Sequence, residues 1–340
     1  MRAMLVGGVL LAFGAVAAGP DPAAAQSVRQ SVRLKAVATS RPTPQFGLWT
    51  WLGGELEKRT QGQIAVELVS LPELGLTCFE LVRVTRSGIV DLGDVLPTYI
   101  AGEVPAVEVV DLPCLFPDFD SSVRAHMAFM PALKKYENKL GGVVLGAYLW
   151  PAQMIFSRKP VRSPADLKGL KIRVYGTAQT ELARGLGMEP VSIPFAEVYT
   201  ALERGAVDAG FTGTYPGFAL KWYEVTKYMV DINHGPVSGT LVASKRAWDR
   251  LSPERRALLA KLGEEFSQRG WDVGRRTTQE GIDRNKEKGM EFVPASKEMV
   301  GAARDVMLKT VVPSWAKRAG PDARALFDQY IAPHSGFKLP

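Results

Sequence analysis

The sequence has few of the residues that hold metals or build disulfide frameworks. Its 340 residues include only three histidines and two cysteines. The histidines (His126, His234 and His334) are widely spaced, and none has a second histidine or a cysteine nearby in the chain. No spacing typical of a zinc site is therefore present. The sequence predicts no metal and no cofactor.

Motifs of the common enzyme and nucleotide-binding classes are absent as well. No GxSxG, HExxH, CxxC or GxxxxGK[ST] segment occurs. The segment Gly185-Leu186-Gly187 lacks the third glycine of a dinucleotide-binding motif and indicates a turn. We therefore predict that the protein is not an enzyme. An exported hydrolase is an alternative that no catalytic constellation in the sequence supports.

The longest uninterrupted hydrophobic run lies within the first 25 residues. Arg2 is followed by an apolar run from Met4 to Ala18 and by three alanines that end at Ala25, the layout of a secretory signal peptide cleaved near Ala25. A transmembrane anchor is the alternative, but the run is shorter than the roughly 20 residues that a span needs. We expect a periplasmic protein that is not itself embedded in the membrane.

The charge balance is mildly basic, with 42 Lys and Arg against 35 Asp and Glu and a formal net charge of +7. Such a balance suits nucleic acid, a membrane surface or an anionic small ligand. Basic residues are mixed with acidic ones, without a block of lysines and arginines, and export separates the protein from nucleic acid. We therefore expect no nucleic-acid partner.

Export leaves two interpretations of the cysteines open. An oxidising compartment permits a disulfide between Cys78 and Cys114. Alternatively, Cys114, within Leu-Pro-Cys-Leu-Phe, is a small core residue, as free cysteines often are. Two cysteines alone do not decide between these interpretations.

Strands alternate with helices along the chain, which predicts an α/β fold with a largely parallel sheet. The elements predicted up to residue 150 are strands 33–39, 63–69, 90–96 and 143–150, and helices 44–59, 77–87 and 121–140. The pattern then restarts with strands 171–175, 207–211, 226–232, 240–244 and 290–293, and helices 178–186, 195–204, 252–288, 296–318 and 321–331. The helix that starts at Ser252 and Pro253 is long enough to pack across two domains.

The length predicts about two domains. The restart near residue 150 and a return of the chain near Gly239 indicate that the two domains are interleaved lobes. We assign residues 27–150 plus about 238–280 to lobe 1, and residues 151–237 plus about 281–340 to lobe 2. Because clefts between domains are favoured ligand sites, the cleft between these lobes is the predicted binding site.

Residues 166–208 carry the most specific pattern, DLKGLKIRVYGTAQTELARGLGMEPVSIPFAEVYTALERGAVD. The pieces DLKG, KIRV, PFAEVY, ALERG and VD occur in that order, which makes the match more specific than any single short motif. The stretch resembles the signature region of the solute-binding proteins of TRAP transporters, the DctP-type periplasmic subunits. Residues 46–62, 104–113 and 241–254 resemble other segments of the same family. The resemblance therefore covers nearly the whole chain after the signal peptide.

The resemblance implies a two-lobed, periplasmic-binding-protein-like fold that closes on its ligand, with the long helix spanning both lobes. It implies two partners, a small-molecule carboxylate and the membrane subunits of a TRAP transporter. The arginine of the KIRV piece is the central ligand contact in this family, so Arg173 is expected to bind the ligand carboxylate, and a planar guanidinium suits that role. The alternative is that Arg173 faces water or pairs with Glu197 or Asp208.

The resemblance also places further residues at the site. Gln153 stands where the family often has an Arg or Gln that helps to hold the carboxylate, although it could instead point to solvent. Many members have a polar contact shortly after the VD piece, whereas this chain has Phe211 and Thr212 there. Phe211 offers no carboxylate, which argues against the sodium-assisted binding of some oxo-acid-binding members. Thr212 is expected to assist Arg173.

The remaining predicted contacts make the site largely apolar. They are Thr39, Ser40 and Leu96 from lobe 1, and Trp150, Tyr175, Phe211 and Tyr215 from lobe 2, with Trp222 expected in the core. A buried hydroxyl without a partner would cost about 1–3 kcal/mol, so a polyhydroxylated acid fits poorly. We predict an extracytoplasmic solute-binding protein for an aromatic or bulky apolar monocarboxylate. The alternatives are a periplasmic sensory binding module, or a 2-oxo acid or dicarboxylate binder of the same family.

Overall fold

The computed structural model describes residues 31–339, which fold around two β-sheets. The predicted signal peptide lies outside these described residues. The strands are β1 (Val32–Ala38), β2 (Ile64–Ser70), β3 (Leu92–Val95), β4 (Gly142–Leu149), β5 (Gln153–Ser157), β6 (Lys171–Val174), β7 (Glu189–Ser192), β8 (Ala209–Gly213), β9 (Tyr228–Val230), β10 (Ser238–Ser244) and β11 (Glu291–Val293).

Helices surround the two sheets, so the predicted α/β class is confirmed. The sheets are mixed and not largely parallel as predicted, because β10 pairs antiparallel with β3 and β4, and β5 pairs antiparallel with β8 and β9. They are α1 (Pro44–Arg59), α2 (Leu81–Arg86), α3 (Pro97–Ile100), α4 (Phe119–Leu133), α5 (Glu137–Leu140), α6 (Thr177–Gly185), α7 (Val198–Glu203), α8 (Thr214–Ala219), α9 (Lys245–Asp249), α10 (Pro253–Glu287), α11 (Lys297–Val306), α12 (Val312–Ala319), α13 (Ala323–Leu326) and α14 (Ala332–Ser335). Within residues 31–339, none of these helices combines the length and the apolar character needed to cross a membrane.

The two sheets define two lobes. The sheet of lobe 1 has the order β2-β1-β3-β10-β4, and the sheet of lobe 2 has the order β11-β9-β5-β8-β6-β7. The chain leaves lobe 1 between β4 and β5, at residues 150–152, and returns between β9 and β10, at residues 231–237. Strand β10 then pairs antiparallel with both β3 and β4. These two short crossings lie side by side, because Trp150 N donates to Val237 O and Gln153 N donates to Gly235 O.

The long helix α10 joins the lobes. Its N-cap is Ser252, whose side chain accepts a hydrogen bond from Arg255 N, and Pro253 occupies the first turn. Its glycines approach lobe 1 closely: a Cβ added at Gly270 would lie 2.3 Å from Tyr148 Cβ. Further along, a Cβ added at Gly281 would lie 2.2 Å from Tyr215 N of lobe 2. The helix therefore spans both lobes, as the sequence predicts.

A second connection between the lobes is a buried acidic residue. Glu108, from the segment Pro105–Asp111 of lobe 1, is 1% exposed and accepts a hydrogen bond from Ala178 N at the start of α6 (3.1 Å). Arg318 of α12 lies 3.4 Å from the other carboxylate oxygen and also pairs with Glu181 of α6. Burial raises the pKa of Glu108 to about 7, against the opposing effects of Ala178 N and Arg318.

Some predicted elements and the disulfide differ from the structure. Cys78 and Cys114 are both free and buried, so the disulfide interpretation is wrong. The helix predicted from residue 77 begins only at Leu81, because Glu80 Oε2 accepts from the backbone N–H and the hydroxyl of Thr77 and holds that segment as a turn. Strand β7 was not predicted; it is a mostly exposed edge strand with a proline and no alternating pattern.

The close contact at Gly270 predicts a large cost of adding a methyl group there. Gly270→Ala should lower the free energy of unfolding by about 2 kcal/mol or more, because the new Cβ collides with Tyr148 and the backbone of β4 must move. Gly301→Ala in α11 is the control: nothing lies within 4 Å of the added Cβ, so it should stabilise by about 0.5–1 kcal/mol. Urea denaturation measures both variants. Equal effects would contradict the close packing of α10 on β4.

Glu108 predicts a specific pH dependence. Folding raises the pKa of Glu108 from 4.5 to about 7, so the folded protein holds this proton more tightly than the unfolded chain does. The protonated carboxyl group therefore stabilises the fold at low pH, and this stabilisation is lost as the pH rises from 4.5 to about 7. In Glu108→Gln, the plot of unfolding free energy against pH should fall less steeply between pH 4.5 and about 7, by up to about 1.4 kcal/mol per pH unit. Urea titrations of both proteins measure this slope. Parallel plots would show that Glu108 does not titrate in that range.

Candidate functional site

A small cavity lies between the lobes, beside the two crossing segments. It is lined by Thr39, Leu96 and Tyr99 of lobe 1, by Trp150 and Val237 of the crossings, and by Gln153, Arg173, Tyr175, Phe195, Thr212, Gly213 and Pro216 of lobe 2. Its volume is about 30 Å³, enough for a few water molecules only. The lobes touch beside this cavity, because Arg173 Nη2 of lobe 2 donates to the Tyr99 hydroxyl of lobe 1 and the rings of Tyr99 and Tyr175 stack.

Strand β6 positions the arginine at the centre of this cavity. The strand lies between β7 and β8, with Arg173 opposite Val191 on one side and Gly210 on the other. Gly210 lets the ring of Trp222 approach this part of the sheet, since a Cβ placed there would lie 3.1 Å from Trp222 Cζ3, whereas its 3.5 Å distance to Arg173 Cβ would be an ordinary contact. Arg173 itself is only 1% exposed.

The guanidinium of Arg173 is held by neutral acceptors. Its Nε donates to Ile193 O (3.0 Å), Nη1 to Phe211 O (2.7 Å) and Nη2 to the hydroxyl of Tyr99 (3.0 Å). A guanidinium has more N–H groups than these three bonds use. Donors therefore remain for a further acceptor in the cavity.

No carboxylate neutralises this buried charge within residues 31–339. Asp208, a partner considered from the sequence, instead pairs with Lys159 (2.9 Å), and Glu197 makes no ion pair with Arg173. An ion buried without a counter-ion is costly. An anion that enters the cavity would remove that cost, so the arrangement is suited to bind one.

Aromatic rings enclose the guanidinium. Its Cζ lies 4.5 Å from the ring centroid of Tyr175 and 5.8 Å from that of Phe195. Tyr99 of lobe 1 stacks on Tyr175 of lobe 2 with centroids 5.1 Å apart and planes 17° apart. This stack and the bond from Arg173 to the Tyr99 hydroxyl are direct contacts across the closed cleft.

Gln153 is oriented by its neighbours at the edge of β5. Its Oε1 accepts from the hydroxyl of Tyr175 (2.7 Å), and its Nε2 donates to Pro151 O (2.8 Å). This network fixes which end of the amide is nitrogen. Gln153 is 3% exposed, so the alternative that it points to solvent is wrong. It contributes a neutral donor, not a second positive charge, to the cavity.

Lobe 1 contributes an acceptor through Thr39. The Thr39 hydroxyl donates to Asp94 Oδ2 (2.6 Å), and the hydroxyl of Tyr148 donates to the same carboxylate. Burial raises the pKa of Asp94 to about 6, while these hydrogen bonds oppose the rise. Because the Thr39 proton is committed to Asp94, the lone pairs of its oxygen are available to a donor in the cavity.

Most residues predicted for the site line this one cavity, and three do not. Arg173, Gln153, Thr212, Trp150, Tyr175, Thr39 and Leu96 line it. Ser40 instead lines a larger outer cleft of about 410 Å³ between the lobes. The Phe211 ring is fully buried beside His234, so this residue reaches Arg173 through its carbonyl only. Tyr215 packs against Phe218 outside the cavity wall.

Two important residues were missed from the sequence. Tyr99 follows Leu96 by one turn of α3, and Phe195 belongs to the PFAEVY piece. The sequence signal for Tyr99 is its position close to Leu96, which was an expected ligand contact. For Phe195 the sequence offers no signal beyond its place in the PFAEVY piece. Trp222, predicted to be core, is fully buried against Phe156.

Comparison with known proteins gives consistent matches over most of the chain. The family model of the bacterial extracellular solute-binding proteins, family 7 (DctP), matches residues 36–318. The 2,3-diketo-L-gulonate-binding periplasmic protein YiaO of Escherichia coli (strain K12) is 30% identical over 252 residues, or 70% of this chain and 73% of that protein. The C4-dicarboxylate-binding periplasmic protein DctP of Rhodobacter capsulatus is 28% identical over 275 residues, or 79% and 81%.

Solved structures agree with these sequence matches. DctP7, a Bordetella pertussis extracytoplasmic solute receptor binding pyroglutamic acid, has a TM-score of 0.84 and 28% identity, with 88% of this chain and 99% of that one covered. The similarity therefore extends over both lobes and the cleft between them. The chain belongs to the DctP family, the solute-binding proteins of TRAP transporters.

Proposed function

We propose that this solute receptor binds a compact monocarboxylate at Arg173 and delivers it to the membrane subunits of a TRAP transporter. The observation that carries the proposal is a fully buried arginine that points into a cavity without an acidic partner in residues 31–339. A carboxylate there would gain charge-assisted hydrogen bonds from the guanidinium, and Thr212 and Gln153 would supply neutral polar groups beside it.

The cavity wall favours one charged group on the ligand. Arg173 is the only arginine or lysine among the described residues that line the cavity. The second carboxylate of a dicarboxylate would therefore be buried without a positive partner. Most of the wall is apolar or aromatic, including Leu96, Phe195 and Val237. This lining supports a ligand whose body is flat or apolar over one with many hydroxyl groups.

The small volume of the closed cavity favours a compact body. A ligand enters only if the lobes separate, and on reclosure it must fit beside the stacked rings of Tyr99 and Tyr175. The sequence suggested an aromatic or bulky apolar acid. The tight wall instead favours a body no larger than a single small ring, so the bulky part of that expectation is not kept in the proposal. DctP7, which is 28% identical, binds pyroglutamic acid, a monocarboxylate on one small ring.

Substitution of Arg173 tests its role as the anchor. Arg173→Met should weaken binding of the best-bound carboxylate by more than about 100-fold, because the charge and all its hydrogen bonds are lost. Arg173→Lys should weaken it by about 10-fold or more, since an ammonium cannot form the planar pair. Isothermal calorimetry measures both. Arg184→Lys, an exposed position on α6, is the control and should leave affinity unchanged. Near wild-type affinity of Arg173→Met would remove Arg173 as the anchor.

A thermal-shift series tests the ligand class. The acids are L-pyroglutamate, benzoate, pyruvate, succinate and glucuronate. At 100 times its Kd a ligand stabilises the folded protein by about 2.7 kcal/mol, which gives a clear rise in Tm. We expect shifts with L-pyroglutamate and benzoate and none with succinate or glucuronate. If only succinate or glucuronate raised the Tm, the proposal that the cavity prefers a ligand with one carboxylate and a flat or apolar body would be contradicted.

A further inference from the structure

Helix α6 begins without a cap of its own. Five helices in residues 31–339 have nine or more residues, and four of them have a Ser, Thr or Asp N-cap whose side chain accepts a hydrogen bond from the first turn: α1, α4, α10 and α11. The N-cap of the fifth, α6, is Gly176, which has no side chain to accept such a bond. A first turn without a cap leaves backbone N–H groups in need of an acceptor.

Glu108 of lobe 1 supplies an acceptor to this helix of lobe 2. Its Oε1 accepts a hydrogen bond from Ala178 N in the first turn of α6 (3.1 Å). A carboxyl group also suits the positive end of a helix dipole. Arg318 of α12 lies 3.4 Å from Glu108 Oε2 and forms an ion pair with Glu181 of α6. The cap of α6 therefore depends on a residue of the other lobe.

The segment that carries Glu108 is fixed within lobe 1. Asp111, at the end of this segment, accepts from the backbone N–H (2.7 Å) and from the hydroxyl (2.8 Å) of Ser238 on β10. Its Oδ1 also lies 2.9 Å from His126 Nε2 on α4. Because these buried contacts lie within lobe 1, Glu108 is carried by that lobe, and it reaches α6 only when the lobes come together.

Gly176 leaves room for this contact between the lobes. Its φ of −142° and ψ of 161° are extended values that any residue adopts, so the backbone does not require a glycine there. A Cβ added to Gly176 would lie 3.1 Å from Thr98 O and 3.7 Å from Glu108 Oε1, both in lobe 1. The missing side chain therefore matters when the lobes are together and not when they are apart.

We propose that Glu108 is a latch between the lobes: its carboxyl group caps α6 only in the closed orientation, and so shifts the equilibrium from open to closed protein. In the open orientation water satisfies both Glu108 and Ala178 N, whereas in the closed orientation each buried group needs the other. Neither Glu108 nor Ala178 is among the described residues that line the ligand cavity. The latch should therefore change the affinity for every enclosed ligand by the same factor.

Two measurements together give the ratio of open to closed protein. Cys78 is buried and lines the outer cleft between the lobes. Burial raises the pKa of its thiol to about 12, so it should react slowly with the neutral reagent N-ethylmaleimide unless the lobes part. The rate in ligand-free protein then follows the open fraction, whereas the Kd of an enclosed ligand varies inversely with the closed fraction. The fold-change in rate multiplied by the fold-change in Kd equals the fold-change in the open-to-closed ratio.

Glu108→Ala removes the cap, and Glu108→Gln keeps an oxygen acceptor in its place. At pH 6 the two are well matched, because burial raises the pKa of Glu108 to about 7 and most of it is neutral. The open-to-closed ratio should rise about tenfold in Glu108→Ala and stay within about threefold of wild type in Glu108→Gln. Glu298→Ala, which removes an exposed acid from the first turn of α11, is the control and should change neither measurement.

The calorimetric part uses L-pyroglutamate and benzoate, and it alone rests on the proposed function. The Kd values of the two acids should change by the same factor in Glu108→Ala. An unchanged open-to-closed ratio would overturn the proposal, and so would unequal factors for the two acids. If neither acid binds, the proposed function fails, and the latch is judged by the thiol rate: an unchanged Cys78 rate in Glu108→Ala would overturn it.

Gly176→Ala tests the same contact from lobe 2 and covers the case in which Glu108→Ala does not fold. The new Cβ crowds Thr98 O only in the closed orientation, so the open-to-closed ratio should rise about threefold or more. An unchanged ratio in this variant would overturn the latch. Cys114, a buried thiol that does not line the outer cleft, separates opening from unfolding. Equal acceleration of both thiols would show unfolding instead of opening and would likewise overturn the proposal.

Discussion

The closed structure depends on one positive charge that is buried without a counter-ion in the described chain. Arg173 is held by two backbone carbonyls of lobe 2 and by one hydroxyl of lobe 1. These neutral acceptors fix the orientation of the guanidinium but do not neutralise its charge. Two aromatic rings lie against that charge, those of Tyr175 and Phe195. The fold thus leaves this positive charge without an acidic partner among the described residues, and under the proposed function a ligand carboxylate would supply the negative half of the ion pair.

The contacts that close the lobes lie on both sides of Tyr175. On the cavity side, Tyr99 stacks on it and accepts from Arg173. Behind it, Glu108 accepts from Ala178 N at the start of α6. Farther away, α10 and the C-terminal helices touch both lobes, and α12 packs on the Pro105–Asp111 segment. The lobes are therefore joined by covalent crossings and shared helices, while the contacts at Tyr99 and Glu108 depend on how the lobes are oriented.

The fold was predictable because its signals are local. Ser252 and Pro253 mark the start of α10, and alternation of strands and helices marks both sheets. The position of Arg173 followed from a family pattern, but its lack of an acidic partner did not, because ion pairs depend on contacts distant in sequence. Tyr99 was not predicted as a site residue for the same reason, because its partners Arg173 and Tyr175 are 74 and 76 positions away in the chain. Thr39 was expected as a polar group, yet only its bond to Asp94 shows that it acts as an acceptor.

The stack of Tyr99 on Tyr175 has a consequence for release as well as for capture. While the rings touch, the guanidinium and a carboxylate beside it would interact in a medium of low dielectric constant, where Coulomb attraction is several times stronger than in water. Parting the rings admits solvent to the same two charges. Water then weakens the attraction and hydrates both ions, although no residue has changed its chemistry. Under the proposed function, holding and releasing the ligand would be two hydration states of one ion pair, and the distance between the two tyrosine rings would set which state is present.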